Sequence, residues 1–445
     1  MPRTGTIRRR GANSRRGTSP DQLTLDLDFA GQRTDYANHS IHAYSAKFPP
    51  QLAEWAILQY TTLGETVLDP MLGSGTTLVE SRRLGRNAMG TDIDPLARLI
   101  SRSKANPPAP HQIRAASRQL ISDVEADFCR LRTTGEMSLE PPVFPNRDYW
   151  FFPETIRQLT LLKARILDFP SGPVQDLLLV AFSSLIITKG KRSVANVADL
   201  AHSRPHHVEP DAPPDVLTLL RAKLRKLEAA TDRFWEECIE ETFARVIGCD
   251  AKAIELPGES VDLIFTSPPY VNAIDYPRAH KFSLFWIGDA LGISPSEYTA
   301  LSKHYIGTDK VSLEECRRRL TEPIGVEMAD TVISQLAQVE LRRAGVTHRY
   351  FQEMFGVLSE CGRVIRRGRR VVVVVCPSVI SRIDIPTHEI LAQMGSELRS
   401  RCGFRLAWEE TFERTLDDSK RQMPVMRGRF GPGMRTEYVV VMRKE

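Results

Sequence analysis

Ser267-Pro268-Pro269-Tyr270 sets a hydroxyl and an aromatic ring on either side of two prolines. The apolar run in front of it, residues 261–265, reads as a buried parallel strand that stops at Thr266 and Ser267. Pro268 and Pro269 have no backbone N–H and fixed φ, so they end the strand and stiffen the chain leading into Tyr270. Open α/β sheets bind ligands at the carboxyl ends of their strands. A rigid, donor-poor turn at that place is therefore a candidate catalytic element. The same residues also read as a plain strand end closed by a Pro-Pro stop.

A second constellation lies upstream. Residues 69–77, DPMLGSGTT, come after a short strand and open a helix. Gly73 and Gly75 let the backbone approach a ligand, and the helix N-terminus beyond them favours polar or anionic groups. No Lys comes after the glycines, so this is not a phosphate P-loop. Leu78 stands where the third glycine of a dinucleotide fingerprint would be. A tight strand–helix turn without a ligand is the other reading. Asp92 ends the next strand at the distance where an acid binds ribose hydroxyls. Asp94-Pro95 reads as a helix N-cap with Pro next, in the first turn. Asp250 ends a third strand and is a candidate acceptor for an adenine amino group, or a carboxylate turned to solvent. A Gly-rich turn with acids at successive strand ends suits an adenosyl ligand without phosphates.

These residues need a sheet to hold them. Residues 66–68 read as a strand, 78–85 as a helix closed by Gly85, and 87–90 as a second strand, which makes a βαβ unit. Residues 105–244 change texture: long helical periods are broken by NPPAP, EPPVFP and SRPHHVEPDAPP. They read as a helical insertion. Strands return at 244–248 and 261–265, then at RRVVVVVC, and two adjacent strands, FRLAWEETF and EYVVVMRK, close the pattern. The expected organisation is a basic tail at 1–35, a first half-domain at 36–104, the insertion at 105–244 and a second half-domain at 245–445.

Composition sets bounds. A chain of 445 residues with 42% hydrophobic and 26% charged residues is that of an ordinary globular protein. No apolar run approaches the length of a membrane span, and the basic start has no apolar stretch behind it, so neither a membrane anchor nor a signal peptide is expected. The seven cysteines are scattered without a C-x-x-C, and no H-E-x-x-H occurs. That pattern argues for a cytoplasmic location with reduced thiols and against a metal site. Residues 1–20 carry six arginines and no acid, while the whole chain carries +5, so the remainder sums to −1. The excess charge is a tail able to hold nucleic acid loosely. The rest depends on local basic patches, among them Lys189, Lys191 and Arg192, and the arginines of 363–370.

The order DPMLGSGTT, then IFTSPPY, resembles the amino-group DNA methyltransferases that use S-adenosylmethionine. HSIHAYSAKFPPQL resembles the segment that caps their cofactor pocket, and the last two valine-rich strands look like the family too. The resemblance covers roughly 36–100 and 244–445. It implies a doubly wound α/β, Rossmann-like methyltransferase sheet, mostly parallel with an antiparallel last strand and interrupted by the helical insertion. It implies that Lys47, Phe48, Asp69, Pro70, Gly73, Gly75, Thr76, Thr77, Asp92, Asp250 and Thr266 bind the cofactor. Ser267, Pro268, Pro269 and Tyr270 become the catalytic turn, acting on double-stranded DNA.

That assignment has a chemical rationale. An exocyclic amino nitrogen is a poor nucleophile because its lone pair is delocalised into the ring. Acceptors on its N–H groups, the Ser267 side chain and the Pro268 carbonyl, draw it toward a tetrahedral form, and the prolines hold both in advance. Tyr270 offers a face on which an extruded base stacks. Ser in place of Asp at the first position looks like the cytosine-N4 branch, with adenine N6 as the alternative and an RNA base behind it. No Pro-Cys nucleophile appears. Asp275, Tyr276, Arg278 and His280 come after the turn and are expected to line the base or backbone channel, or else to begin a well-capped helix. The family's Lys-Pro-Gly-Gly turn is Arg366-Arg367-Gly368-Arg369 here. No nuclease signature is present, so any restriction partner would be a separate chain. Residues 22–27 (Gln22, Leu23, Thr24, Leu25, Asp26, Leu27) resemble the peptide by which replication proteins dock on the sliding clamp. They also read as a short strand with leucines at period two.

Overall fold

The apolar runs pair into a seven-stranded sheet: β1 (Thr66–Asp69), β2 (Asn87–Thr91), β3 (Ala244–Gly248), β4 (Val261–Thr266), β5 (Ile365–Val375), β6 (Leu406–Thr415) and β7 (Thr436–Lys444). The structure is a computed structural model and describes residues 27–188, 193–198, 206–208, 212–271, 276–416 and 436–445. The strand order is β6-β7-β5-β4-β1-β2-β3. Strands β3, β2, β1, β4 and β5 pair in parallel, whereas β7 runs antiparallel to both β5 and β6. This is the mostly parallel, Rossmann-like sheet with an antiparallel last strand that the sequence led us to expect.

Strand periodicity decides which side chains face which layer. Leu263 and Phe265 of β4, Val372 and Val374 of β5, and Val439 and Val441 of β7 join α1 (Pro50–Tyr60) on one face. Ile264, Val371, Val373, Val375, Val440 and Met442 turn to the other face. There they meet α9 (Leu341–Val364) and α10 (Thr387–Cys402), with the helix Glu327–Val339 over them. Both faces are covered, which is why these strands read as unbroken apolar runs and not as alternating ones.

The first βαβ unit places α2 (Thr76–Arg83) between β1 and β2, and α3 (Pro95–Ala105) comes after β2. Gly75 opens α2 with φ +75°, and a Cβ there would lie 2.7 Å from the Ser101 Cα of α3. The glycine is thus required both by its conformation and by helix packing. Residues 110–237 hold α4 (Pro110–Thr134), α5 (Pro153–Leu167), α6 (Pro173–Ile186) and α7 (Val216–Glu237). Together with α3 they bury α8 (Tyr276–Ile287), the helix beyond the Pro-Pro turn, and Trp286 lies fully inside this second core. Two short hairpins had no signal in the sequence: Val197–Ala198 with His206–His207, and Ser378–Ile380 with Ile383–Ile385.

One charge expectation is corrected. The arginines of 363–370 sit at the amino ends of the strands, opposite the ligand rim. They are paired there: Arg366 with Asp262, Arg369 with Glu65, Arg370 with Glu409 and Arg363 with Glu360. In the clamp-like stretch, residues 22–26 lie outside the described residues, and Leu27 is buried in the core beneath β5 and β7.

Candidate active site

The centre of the site is Asp69, the last residue of β1. It is buried, and its carboxylate gathers three donors. The Met71 N–H and the Thr266 hydroxyl reach Oδ1 at 3.0 and 2.8 Å, and the Thr77 hydroxyl reaches Oδ2 at 2.7 Å. Met71 belongs to the Gly-rich turn, Thr77 to the first turn of α2, and Thr266 to the end of β4. One side chain therefore fastens the Gly-rich turn to the residue just before Ser267. Burial pushes the Asp69 carboxyl up to about 6, against the lowering effect of those hydrogen bonds.

Asp92 stands at the next strand end. Its Oδ2 accepts from the Gly73 N–H at 2.7 Å and its Oδ1 from the Asp94 N–H at 2.9 Å. Burial, with the neighbouring Asp94 charge, pushes it up to about 7. Each oxygen keeps a further lone pair, so two hydroxyls of a ribose could be accepted side by side. Gly73 has φ +50°, and a Cβ on it would come within 3.4 Å of the Tyr44 ring. Tyr44 thus roofs the Gly-rich turn, and a ligand lying along Gly73 would pass under it. The residues fit an adenosyl cofactor: two bare glycine backbones, a strand-end acid with spare acceptors, and an aromatic cover.

Tyr44 is held by its own segment. The Asn38 amide donates to the Lys104 carbonyl at 2.6 Å, His39 Nε2 donates to Glu80 Oε1 at 2.5 Å, and His42 Nε2 meets Ser183 Oγ at 2.8 Å. Residues 38–44 are therefore strapped to α3, α2 and the helical insertion at once. Lys47 donates to the His39 carbonyl at 2.9 Å, which braces the strap, and Phe48 packs edge-on against Phe265 of β4 at 5.2 Å. Lys104, fully buried, donates to the Ser74 carbonyl at 3.0 Å and so shapes the Gly-rich turn from behind.

The residues of the Pro-Pro turn, expected to be catalytic, sit at the same rim. Ser267, Pro269 and Tyr270 are half-buried and Pro268 is buried. The Tyr270 hydroxyl donates to Glu437 Oε1 of β7 at 2.8 Å, and burial holds the phenol well above its ordinary range. Pro70 supplies the carbonyl that accepts from the Thr91 hydroxyl at 2.7 Å, joining β1 to β2, and Thr76 Oγ1 lies 3.2 Å from Ser74 Oγ. Asp250 is exposed beyond β3, with Oδ1 accepting from the Lys252 N–H at 2.9 Å.

Of the four residues expected in a nucleic-acid channel, Tyr276 lies 5.7 Å from Tyr44, ring to ring, and Arg278 is exposed on α8. Asp275, Lys189, Lys191 and Arg192 lie outside the described residues. His280 is elsewhere than expected. It is buried, its Nδ1 donates to Asp94 Oδ2 at 2.6 Å, and its ring packs 5.1 Å from Tyr44. Asp94 is the N-cap the sequence suggested, accepting from Leu96 N and Ala97 N. Burial alone would raise its carboxyl, but the contacts with His280, Tyr305 and the Ala97 N–H together outweigh that and hold it below the usual carboxylate range. So His280 locks α8 onto α3 and is not presented to a channel.

Among the described residues no group of three or more His, Cys, Asp or Glu could hold a metal ion. No described helix is long and apolar enough to cross a membrane. Tyr44, Lys104 and Glu437 were missed by the sequence reading. Only the position of Tyr44 within the pocket-capping segment hinted at any of them.

Comparisons with known proteins agree with this geometry. Residues 13–101 match the family model N6_N4_Mtase, described as DNA methylase, which takes in the strap, the Gly-rich turn and Asp92. The Type II methyltransferase M.MvaI of Kocuria varians is 26% identical over 390 residues, 83% of each chain. The Type II methyltransferase M.BsoBI of Geobacillus stearothermophilus is 23% identical over 282 residues, 56% of this chain and 53% of that one. A solved S-adenosylmethionine-dependent methyltransferase from Methanosarcina mazei overlaps loosely, with a TM-score of 0.29 at 8% identity over 87% of this chain and 95% of its own. The family match lies on the Gly-rich turn, the Kocuria relative extends the likeness through the Pro-Pro turn, and Asp69 joins the two: these matches support an amino-methyltransferase of the N4/N6 family, with S-adenosylmethionine as its cofactor.

Proposed function

We propose that the chain methylates the exocyclic amino nitrogen of a base extruded from double-stranded DNA, at cytosine N4 within a short recognition sequence. The observation that carries this reading is the Asp69–Thr266 hydrogen bond, which sets the Ser267-Pro268-Pro269-Tyr270 turn beside the Gly-rich turn. Ser267 at the first position of that turn favours cytosine N4 by family likeness. Adenine N6 is the second reading, because the matching family model spans both products.

The bound cofactor would supply a methyl group on a positively charged sulfur. Asp92 accepts the ribose hydroxyls, Gly73 and Gly75 give backbone access to the methionine part, and Tyr44 and Phe48 cover the pocket. Asp250, beyond β3, is the proposed acceptor for the adenine amino group, and Thr266 closes the pocket at the end of β4 beside Asp69. Ser267 Oγ and the Pro268 carbonyl accept from the amino group and localise its lone pair on nitrogen, while Tyr270 stacks on the base. The nitrogen forms its new bond to carbon as the bond to sulfur breaks, and its surplus proton leaves to water.

DNA is met by Tyr276 and Arg278 at the start of α8 and by Lys189, Lys191, Arg192 and Asp275, with the insertion at 105–244 reading the target. The half-domains at 36–104 and 245–445 hold cofactor and catalytic turn. The relatives named as Type II methyltransferases support a restriction-modification role; a cytoplasmic location and a nuclease on a separate chain are part of the same proposal.

The test is incubation with methyl-labelled S-adenosylmethionine and mixed DNA and RNA, then nucleoside digestion and mass spectrometry. N4-methyldeoxycytidine is expected. N6-methyldeoxyadenosine would keep the mechanism and change the base, and label only in RNA would overturn the DNA reading.

A further inference from the structure

Tyr270 is tied down from an unexpected direction. Its hydroxyl donates to Glu437 Oε1 at 2.8 Å, 167 residues away at the start of β7. The other oxygen of Glu437 accepts from Arg414 Nη1 of β6. Arg414 in turn donates through Nε to the Leu27 carbonyl at 3.1 Å, and the neighbouring Thr415 N–H reaches Asp28 Oδ1 at 2.6 Å. Glu437 is 8% exposed and Arg414 5%. A buried ion pair gives little net stability over a well-packed apolar pair, so its presence here asks for another role. Cys376, at the end of β5, has its thiol pushed up to about 12 by burial and by the Glu437 charge, so no competing anion forms beside the pair.

We infer that Glu437, held by Arg414, is a positioning residue that fixes where the ring of Tyr270 stands before a base arrives. The inference rests on the proposed base-stacking role of Tyr270. The two prolines fix the backbone leading into Tyr270, but its side chain still has staggered wells to choose among at χ1. A ring without a polar anchor would swing between those wells. The hydroxyl-to-carboxylate bond anchors the far end of the ring and selects one of them. This also gives the tyrosine hydroxyl a function, since stacking alone would be served by phenylalanine. The anchor reaches Tyr270 from β7 and β6, so the catalytic turn is gripped from two sides: Asp69 behind Thr266, and Glu437 beyond the prolines. Preorganisation of this kind acts on the transition state and is read in kcat.

The test uses the full chain and three variants, Tyr270→Phe, Glu437→Gln and the double variant, on a duplex bearing a site that the wild type methylates. Tyr270→Phe removes one buried hydroxyl, keeps the ring and is expected to fold. Its kcat should fall about tenfold, with the cofactor Kd within about twofold of wild type. Glu437→Gln keeps an acceptor for the hydroxyl and should lose less. The double variant should be no slower than Tyr270→Phe, because both changes break one link. In parallel, 3-fluorotyrosine at position 270 reports the ring's surroundings by fluorine NMR in the free protein. A held ring gives a fluorine shift well apart from that of the unfolded chain, and Glu437→Ala, which frees the hydroxyl, moves it toward the unfolded value. Wild-type kcat in Tyr270→Phe, or a fluorine shift unchanged in Glu437→Ala, would overturn the inference. Absence of methyl transfer by the wild type would instead overturn the functional reading, and the fluorine spectrum would still decide the anchor.

Discussion

The Thr266 hydroxyl donates to Asp69 Oδ1 at 2.8 Å across 197 residues of chain. The bond joins the last residue of β4 to the last residue of β1, and the same carboxylate also holds Thr77 at the start of α2. The Gly-rich turn and the Pro-Pro turn are thus referenced to one side chain. A shift of either would be felt by the other.

Removing that reference should cost both stability and rate. Asp69→Ala leaves two buried hydroxyls, Thr77 and Thr266, without their acceptor, at about 1–3 kcal/mol for each group left unpaired. We expect a loss of roughly 2–4 kcal/mol in urea unfolding and a fall in both cofactor affinity and kcat. An unchanged kcat in the folded variant would show that the turns keep their spacing without Asp69.

Ser267→Ala addresses the chemistry alone. Its hydroxyl is proposed to accept from the amino group as it becomes nucleophilic, so kcat should fall about 10²–10³-fold, as when one preorganised polar group is removed. The cofactor Kd should stay within about twofold of wild type. Equilibrium dialysis and single-turnover methylation separate the two. An unaltered single-turnover rate would remove Ser267 from the mechanism.

The pH dependence comes from Asp92 and Asp69, whose carboxyls are raised by burial to about 7 and about 6. Both lie above the unfolded value of about 3.9. The folded state therefore holds protons that the unfolded state releases. The stability they lend is fully present below about pH 4 and is lost as pH rises through about 6 and 7. The cofactor-free protein should show a Tm component that falls across this window, and Asp92→Asn should flatten its upper part. Cofactor binding has the opposite slope, because Asp92 must be ionised to accept two hydroxyls. Affinity should weaken about tenfold per pH unit below about 7 and level off above it. A calorimetric Kd that is flat from about pH 5.5 to about 8.5, a range spanning that value, would argue against Asp92 as the ribose acceptor.

His280 gives a sharper structural test. Its Nδ1 is 2.6 Å from Asp94 Oδ2 and both side chains are 2% exposed. His280→Ala removes the partner of a buried carboxylate, and the loss should approach the 3–5 kcal/mol typical of such cases, about 3 kcal/mol here because the helix N-cap bonds of Asp94 survive. The DNA KM should stay near wild type in the residual folded enzyme. A large rise in KM with unchanged stability would restore His280 to the nucleic-acid surface.

Much of this site was legible because it is local. The strand runs, the Gly-rich turn, the capped start of α3 at Asp94 and the Pro-Pro turn each announce themselves within a short stretch of chain. The pairs that finish the site are not local. Glu437 meets Tyr270, and His280 meets Asp94, at separations of 167 and 186 residues. Neither carboxylate nor imidazole carries a sequence mark that names its partner. His280 was expected to line a nucleic-acid channel because it comes soon after the Pro-Pro turn. The insertion covers its helix, α8, and this depends on packing among α4 to α7 that periodicity alone does not orient. The arginines of 363–370 misled for a related reason: a charge cluster shows in the sequence, but which end of the sheet it occupies does not.

The antiparallel β7 has a consequence for the order of synthesis. It is the strand lying between β5 and β6, yet it leaves the ribosome after both. Until residues 436–444 emerge, the Val371–Val375 segment of β5 has an open edge and Arg414 has no Glu437 carboxylate to meet. A nascent chain can thus complete the Gly-rich turn and the Pro-Pro turn well before the anchor on Tyr270 exists. On the proposed role of Glu437, a translation product cut short before residue 436 would hold the Gly-rich and Pro-Pro turns without the carboxylate that anchors Tyr270.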